Sequence, residues 1–201
     1  HAFEVTNGMQ VPAQSRSNLV SWPDDRLVDL TGKVVLVLGG SDLDEALVFA
    51  ERNLRRGARI VLGMRTLQLV GRAEARVDAM GKVPIHVQHL DPLRSETVDR
   101  VFQFLQDHFR RLDGTVANGE HGYSLATADD EDVRTFIETE IVAPVAFASA
   151  LTRNLASWRV KCDAPPTTFV TNQDDGRGNR MNDIRRAAIE ELIRIWRYED
   201  E

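Results

Sequence analysis

The sequence predicts an α/β fold, a doubly wound parallel sheet with helices on both faces. Three observations carry that expectation. Short β-branched runs alternate with longer segments of helical period. The first run, Lys33-Val34-Val35-Leu36-Val37-Leu38, is continuously apolar, as a strand buried on both faces must be. A chain of 201 residues suffices for one such core and is too short for two of ordinary size.

Each element can be justified in order. Residues 10–31 hold Pro12, Pro23 and the cluster Asp24-Asp25-Arg26, which suits a linker, so the domain proper is placed at 32–201. After the first strand, Glu45 to Arg56 carries Ala46, Leu47, Phe49, Ala50 and Leu54 on a helical period, and Gly57 ends it. Ala58–Gly63 reads as the second strand and Leu67–Met80 as the second helix. Val83–Val87 reads as a third strand at the sheet edge, where Pro84 is tolerable. Ser95–Phe109 is a helix with Val98, Val101, Phe102, Leu105 and Phe109 on one face. A fourth strand at Gly114–Ala117, a long helix at Asp130–Leu155, a fifth strand at Thr167–Thr171 and a last helix at Asn182–Arg197 complete the series. The long helix carries Phe136, Ile137, Ile141, Val142, Val145, Phe147, Ala148 and Leu151 on more than one face, as a helix packed on both its sheet and a neighbour would.

Composition narrows the function classes. The net charge is −6 and the arginine clusters are interspersed with acids, which disfavours nucleic acid as the main partner. No apolar run reaches bilayer length, so no membrane span is expected. The single cysteine, Cys162, cannot form an internal disulfide and fits a reducing, cytoplasmic setting. Residues 1–9, which begin at His1 and run Phe3-Glu4-Val5-Thr6-Asn7-Gly8 as a strand into a turn, read as the end of a preceding unit.

The segment Leu30-Thr31-Gly32-Lys33 followed by the apolar strand and Gly39-Gly40-Ser41 resembles the opening of a short-chain dehydrogenase/reductase. Further matches follow in order: Arg65 after the second strand, Asp91 after the third, Asn118-Gly119 after the fourth. The resemblance covers roughly residues 24–197 and implies a Rossmann-type sheet of strand order 3-2-1-4-5. It also implies that Gly39 and Gly40 lie at the dinucleotide, that Arg65 would meet a 2′-phosphate, that Asp91 would meet the adenine, and that Asn118 lies nearby. With the strand-and-turn opening, it points to tandem units like those of bifunctional malonyl-CoA reductases, with a catalytic domain preceding this one and NADP(H) bound in the parent enzyme.

The residues of the loop argue against cofactor binding in this domain. A dinucleotide loop needs glycines so that the backbone can approach the pyrophosphate at a helix N-terminus. The later glycine positions hold Leu43 and Glu45, and Asp42 and Asp44 add negative charge. Ser41 to Asp44 reads instead as an S-x-x-D helix cap.

The chemistry is expected to be lost as well. The family uses Ser, Tyr and, four residues after the Tyr, Lys. Here Thr171 (or Asn172) stands near the Ser position, Asn182 at the Tyr position and Arg186 at the Lys position, and Glu140 replaces the relay Asn. Asn is not a usable acid, and Arg is too basic to shuttle protons. Neither Tyr123 nor Tyr198 has a Lys four residues on. The catalytic positions are therefore read as degenerate and no residue as catalytic.

Other clusters read as structural. His86 and His89 should point to opposite faces of an extended segment and so share no metal. Asp129-Asp130-Glu131-Asp132 should cap the long helix. The loop Asp174–Asn179 reads as flexible surface, and Cys162 lacks a group to activate it.

The sequence thus predicts a non-catalytic scaffold or dimerisation domain of a larger NADPH-dependent reductase. Its partners would be the preceding catalytic domain and a second copy. Two rivals stay open: an active reductase using Tyr123 or Glu120 as acid with Arg65 on a 2′-phosphate, and a module that senses CoA or a nucleotide.

Overall fold

The computed structural model describes residues 4–6, 29–40, 42–117, 129–161 and 168–171. The elements are β1 (Glu4–Thr6), β2 (Val34–Leu38), α1 (Leu43–Leu54), β3 (Arg59–Met64), α2 (Leu67–Ala79), β4 (Ile85–His89), α3 (Ser95–His108), β5 (Gly114–Ala117), α4 (Asp130–Phe136), a π-helical turn (Ile137–Val142), α5 (Ala143–Lys161) and β6 (Thr168–Thr171). They form one sheet of order β1-β6-β5-β2-β3-β4. All pairings from β6 to β4 are parallel. Counted from the strand at residue 34, this is the expected 3-2-1-4-5 order.

The central strands are continuous apolar runs because both faces are covered. Val34, Leu36, Leu38 and Val61 pack with α3 and α5 through Val98, Phe102, Leu105, Phe147, Leu151 and Trp158. The alternate residues Val35, Val37, Ile60, Leu62 and Met64 pack with α1 and α2 through Ala46, Leu47, Ala50, Ala73 and Val77. Each of the buried Val, Leu, Ile, Met and Phe side chains contributes about 1.5–3 kcal/mol, an alanine methyl less.

At the lower edge, Asp113 joins β5 to β2. Its N–H donates to the Val34 carbonyl (2.9 Å) and its carboxylate accepts from the Val34 N–H (2.9 Å) and Arg111 Nε (2.8 Å). The bond to Asp113 holds the Arg111 guanidinium above its ordinary pKa.

Several boundaries differ from the expectation. The edge strand begins at Ile85 and not at Val83: the first bond to β3 is from the Ile60 N–H to the Pro84 carbonyl (2.9 Å), Pro84 has no N–H to give, and the Val83 N–H is spent on the Gly81 carbonyl (2.9 Å). Glu4–Thr6 pairs antiparallel with β6, Val5 opposite Phe169, so this segment adds a strand to the same sheet. The predicted helix at Asn182–Arg197 lies outside the described residues.

The long helix is one run with a flaw in the middle. Between Ile137 and Val142 the bonds open to the i→i−5 pattern, and Ala143 N–H donates to the Glu138 carbonyl. Pro144 supplies the cause, since it has no N–H and its ring clashes with the carbonyl four residues back. The expectation that no apolar stretch has spanning length needs correction: Asp130–Trp158 is long and apolar enough. In the fold, however, Phe147, Ala150, Leu151, Leu155 and Trp158 on this run are buried in the core.

Candidate functional site

The candidate residues gather at the C-terminal ends of β2, β3 and β4, the edge where open parallel sheets bind ligands. β2 ends at Leu38 and the chain turns through Gly39 and Gly40 into α1. Gly40 has φ +54, a left-handed value that favours glycine. Gly39 donates its N–H to the Gly63 carbonyl at 2.8 Å. A Cβ on Gly39 would lie 2.6 Å from Met64 Sδ, 3.0 Å from Ala46 Cβ and 3.2 Å from the Gly63 oxygen. This glycine is therefore demanded by contact between α1 and β3, with no ligand needed to explain it.

The cap of α1 is Asp42, which corrects the expected Ser41; Ser41 itself lies outside the described residues. The extended backbone at Asp42 aims its Oδ1 at the Glu45 N–H, 3.0 Å away, and its carbonyl accepts from Ala46 N–H at 3.1 Å. A carboxylate three residues before the amide reaches it, and the helix then begins at Leu43, two residues earlier than the Glu45 expected. Leu43 is buried in the core under α1. Asp44 is exposed and forms a surface ion pair with Arg76 (3.2 Å).

This geometry bears directly on a dinucleotide. The helix N-terminus, with its positive dipole end, already has an anion of its own. A pyrophosphate would have to displace Asp42 and then sit beside Asp44. Two unit charges at 4 Å repel by about 1 kcal/mol in water and about 4 kcal/mol at the effective dielectric near a protein surface. Glu45 in place of a glycine adds a side chain where the backbone should be bare, whereas the Leu43 side chain turns into the core. These residues do not fit the phosphates of NADP(H) in that position.

The far end of the site keeps more of its charge pattern. Arg65 and Asp91 are brought together, Arg65 Nε lying 3.8 Å from Asp91 Oδ1, with side chains 27% and 16% exposed. Arg94 Nε lies 3.4 Å from the other Asp91 oxygen, and Leu93 N–H donates to Oδ1 at 3.1 Å. His89 Nε2 donates to the Arg65 carbonyl at 3.1 Å. The buried Thr97 hydroxyl accepts from Asp91 N–H at 2.9 Å and fixes the turn that carries Asp91. Arg94 and Thr97 were not singled out from the sequence, although the run Asp91-Pro92-Leu93-Arg94-Ser95-Glu96-Thr97, an acid in a turn leading into a helix, is the signal that would have found them.

The remaining candidates separate. Thr171 ends β6, opposite Ala117 of β5. Asn118, Glu120, Tyr123, Cys162, Asn172, the loop 174–179, Asn182 and Arg186 lie outside the described residues. Of Glu140 only the backbone is described, within the π turn. His86 and His89 do face opposite ways: His86 packs on Phe104 and Phe109, whereas His89 reaches Arg65. Asp129 caps α4 in a reciprocal capping box with Asp132, as the acidic run predicts.

No protein-family model matches the chain, and no curated protein matches it. Solved structures do. The chain is similar to gox2181, at 16% identity and TM-score 0.61 over 85% of this chain and 67% of that one. It is similar to a short chain dehydrogenase from Mycobacterium smegmatis at 21% identity and TM-score 0.62, over 82% and 68%. A third is the citronellol catabolism dehydrogenase AtuB of Pseudomonas aeruginosa PAO1, at 17% identity and TM-score 0.58, over 81% and 66%. The chain spans about two thirds of the length of each. Such identities establish the fold alone, and that fold is the Rossmann-type α/β scaffold of the short-chain dehydrogenases.

Proposed function

We propose that this chain is a non-catalytic scaffold and dimerisation domain within a larger NADPH-dependent reductase of the malonyl-CoA reductase kind. The assignment to that kind rests on the sequence resemblance alone, since the opening strand Glu4–Thr6, which suggested a preceding unit, pairs within this domain's own sheet. The observation that carries the loss of function is the Asp42 carboxylate, seated at 3.0 Å on the very amide that a pyrophosphate would need. The exposed carboxylate of Asp44 beside the loop acts in the same direction. Reduction of malonyl-CoA to malonate semialdehyde and on to 3-hydroxypropionate would then belong to the neighbouring catalytic domain. This one would support it through packing and dimer contacts.

Isothermal calorimetry of the 201-residue chain with NADPH tests the reading. No binding heat up to about 1 mM ligand is expected. A dissociation constant in the micromolar range would overturn it.

One observation favours a second reading, a module that senses CoA or a nucleotide without chemistry. Two guanidinium groups, Arg65 and Arg94, share the single Asp91 carboxylate, which leaves a positive charge at the sheet edge. Thermal stabilisation by CoA esters without any by NADPH would select this reading over the scaffold.

A further inference from the structure

Among the described residues β4 is the last strand on its side of the sheet, and half of its backbone faces outward. Its bonds to β3 begin with the Ile60 N–H on the Pro84 carbonyl (2.9 Å) and end with the Leu90 N–H on the Met64 carbonyl (2.9 Å). A strand in a parallel ladder bonds to one neighbour through alternate residues, so His86 and Gln88 serve β3. The Ile85 carbonyl and both main-chain groups of Val87 and His89 point the other way, with no partner among the described residues. Such a row is a template for one more strand.

The surface beside this edge is cationic and aromatic. The exposed His86 lies against Phe104 and Phe109 at 5.6 and 5.4 Å between ring centroids, and His108 stacks on Phe104 at 4.1 Å. Arg59 stands two residues before Val61, the partner of His86, and therefore on the same face of the sheet. Burial, then the charges of His108 and Arg59, hold the His86 pKa below its ordinary value, as cations gathered at one place must. Arg110 follows Phe109 with φ +52, the left-handed region that favours glycine, and its side chain is exposed. An arginine held against its backbone preference is a candidate for function. Neither the Arg59 nor the Arg110 guanidinium has an acid partner among the described residues, whereas Asp113 is engaged by Arg111 and Lys33, and Asp107 by Gln103.

We propose that the open edge of β4 accepts an extended, acidic segment of a partner polypeptide as an added strand. Its main chain pairs with Val87 and His89, and its carboxylates meet Arg59, His86, His108 and Arg110. The free main-chain groups select an extended polypeptide, and the cations select its charge. This goes beyond the scaffold reading and stands apart from both dimerisation and cofactor binding.

The test uses the 201-residue chain and a capped seven-residue peptide of alternating glutamate and valine, followed by calorimetry and amide hydrogen exchange. The peptide should bind with a dissociation constant below about 100 μM and slow exchange at the Val87 and His89 amides at least ten-fold. The same peptide N-methylated at every amide, and its lysine–valine counterpart, should each bind at least ten-fold more weakly. No binding at 1 mM, unchanged exchange at Val87 and His89 in the complex, or equal affinity for the N-methylated peptide would overturn strand addition. Equal affinity for the lysine peptide would overturn the role of the cations. Arg59→Glu should weaken the glutamate peptide at least ten-fold. Arg110→Gly should weaken it at least three-fold while raising the thermal midpoint, a combination that a merely structural residue would not give. Unchanged affinity in these two variants would overturn their assignment. Phosphatidylserine vesicles bound more tightly than the peptide would overturn a polypeptide as the occupant.

Discussion

Gly39→Ala is the substitution that best separates a glycine kept for packing from one kept for a ligand. The added methyl would meet Met64 Sδ at 2.6 Å, Ala46 Cβ at 3.0 Å and the Gly63 carbonyl oxygen at 3.2 Å. Met64 is a flexible side chain and can swing its sulfur away. The other two atoms belong to the α1 helix and the β3 backbone, and neither moves without disturbing the Gly39–Gly63 hydrogen bond. Overpacking of this kind costs about 1–3 kcal/mol. For a chain of this size each kcal/mol lowers the midpoint by about 2–4 °C, which puts the expected loss at about 2–12 °C. Urea and thermal unfolding followed by circular dichroism measure it. Met64→Ala in the same chain should recover part of the loss, and the pair should be non-additive because the two sites touch. If Gly39→Ala leaves the midpoint unchanged, the contact is not tight. The glycine at 39 would then point back to a ligand.

Two further substitutions probe the frame and the edge of the sheet. Asp113→Ala should destabilise the fold by about 1–3 kcal/mol, since it strips the Val34 N–H and the Arg111 guanidinium of their shared acceptor; urea denaturation reads the change. His86 has its pKa held below the ordinary value of about 6.5, first by burial against its neighbours and then by His108 and Arg59. A depressed histidine binds protons more readily when unfolded, so stability is complete above pH 6.5 and declines as the pH falls through the folded value. Urea midpoints at pH 7.5 and 5.0 should therefore converge in His86→Gln, and an unchanged pH dependence in that variant would discard the assignment.

Much of this fold could be read from the chain because its signals are local. The buried strands announce themselves as apolar runs, and Val98, Val101, Phe102 and Leu105 mark the inner face of α3 by their period. Non-local features were harder. The strand at Glu4–Thr6 was legible, but its pairing with Thr168–Val170 joins segments over 160 residues apart, and nothing local names the partner. The cap at Asp42 was displaced by one residue because serine and aspartate cap equally well, so type alone cannot choose between neighbours. The π turn was legible in principle: Pro144 inside an apolar helical pattern predicts a break at the preceding turn. At the site, the resemblance singled out Arg65 and Asp91 without pairing them; their ion pair, Arg94 and Thr97 entered only with the turn geometry that closes on Asp91.

The different fates of the loop residues follow from what each one touches. Gly39 lies between two packed elements, so a larger residue there is penalised whether or not a cofactor is bound. The positions of Leu43 and Glu45 carry no such penalty. Leucine at 43 gains burial under α1, and an acid at 42 satisfies an amide that would otherwise need a ligand or water. Where no dinucleotide has to be bound, stability alone favours these residues, and an acid at 42 makes binding of a phosphate harder. The same pressure does not act on the Arg65–Asp91–Arg94 group, whose ion pairs hold the β4–α3 turn in any case. On the reading proposed above, a site that does not bind a dinucleotide is filled first at its pyrophosphate end, where replacement adds stability, and keeps the charges of its far end, where the ion pairs hold the turn.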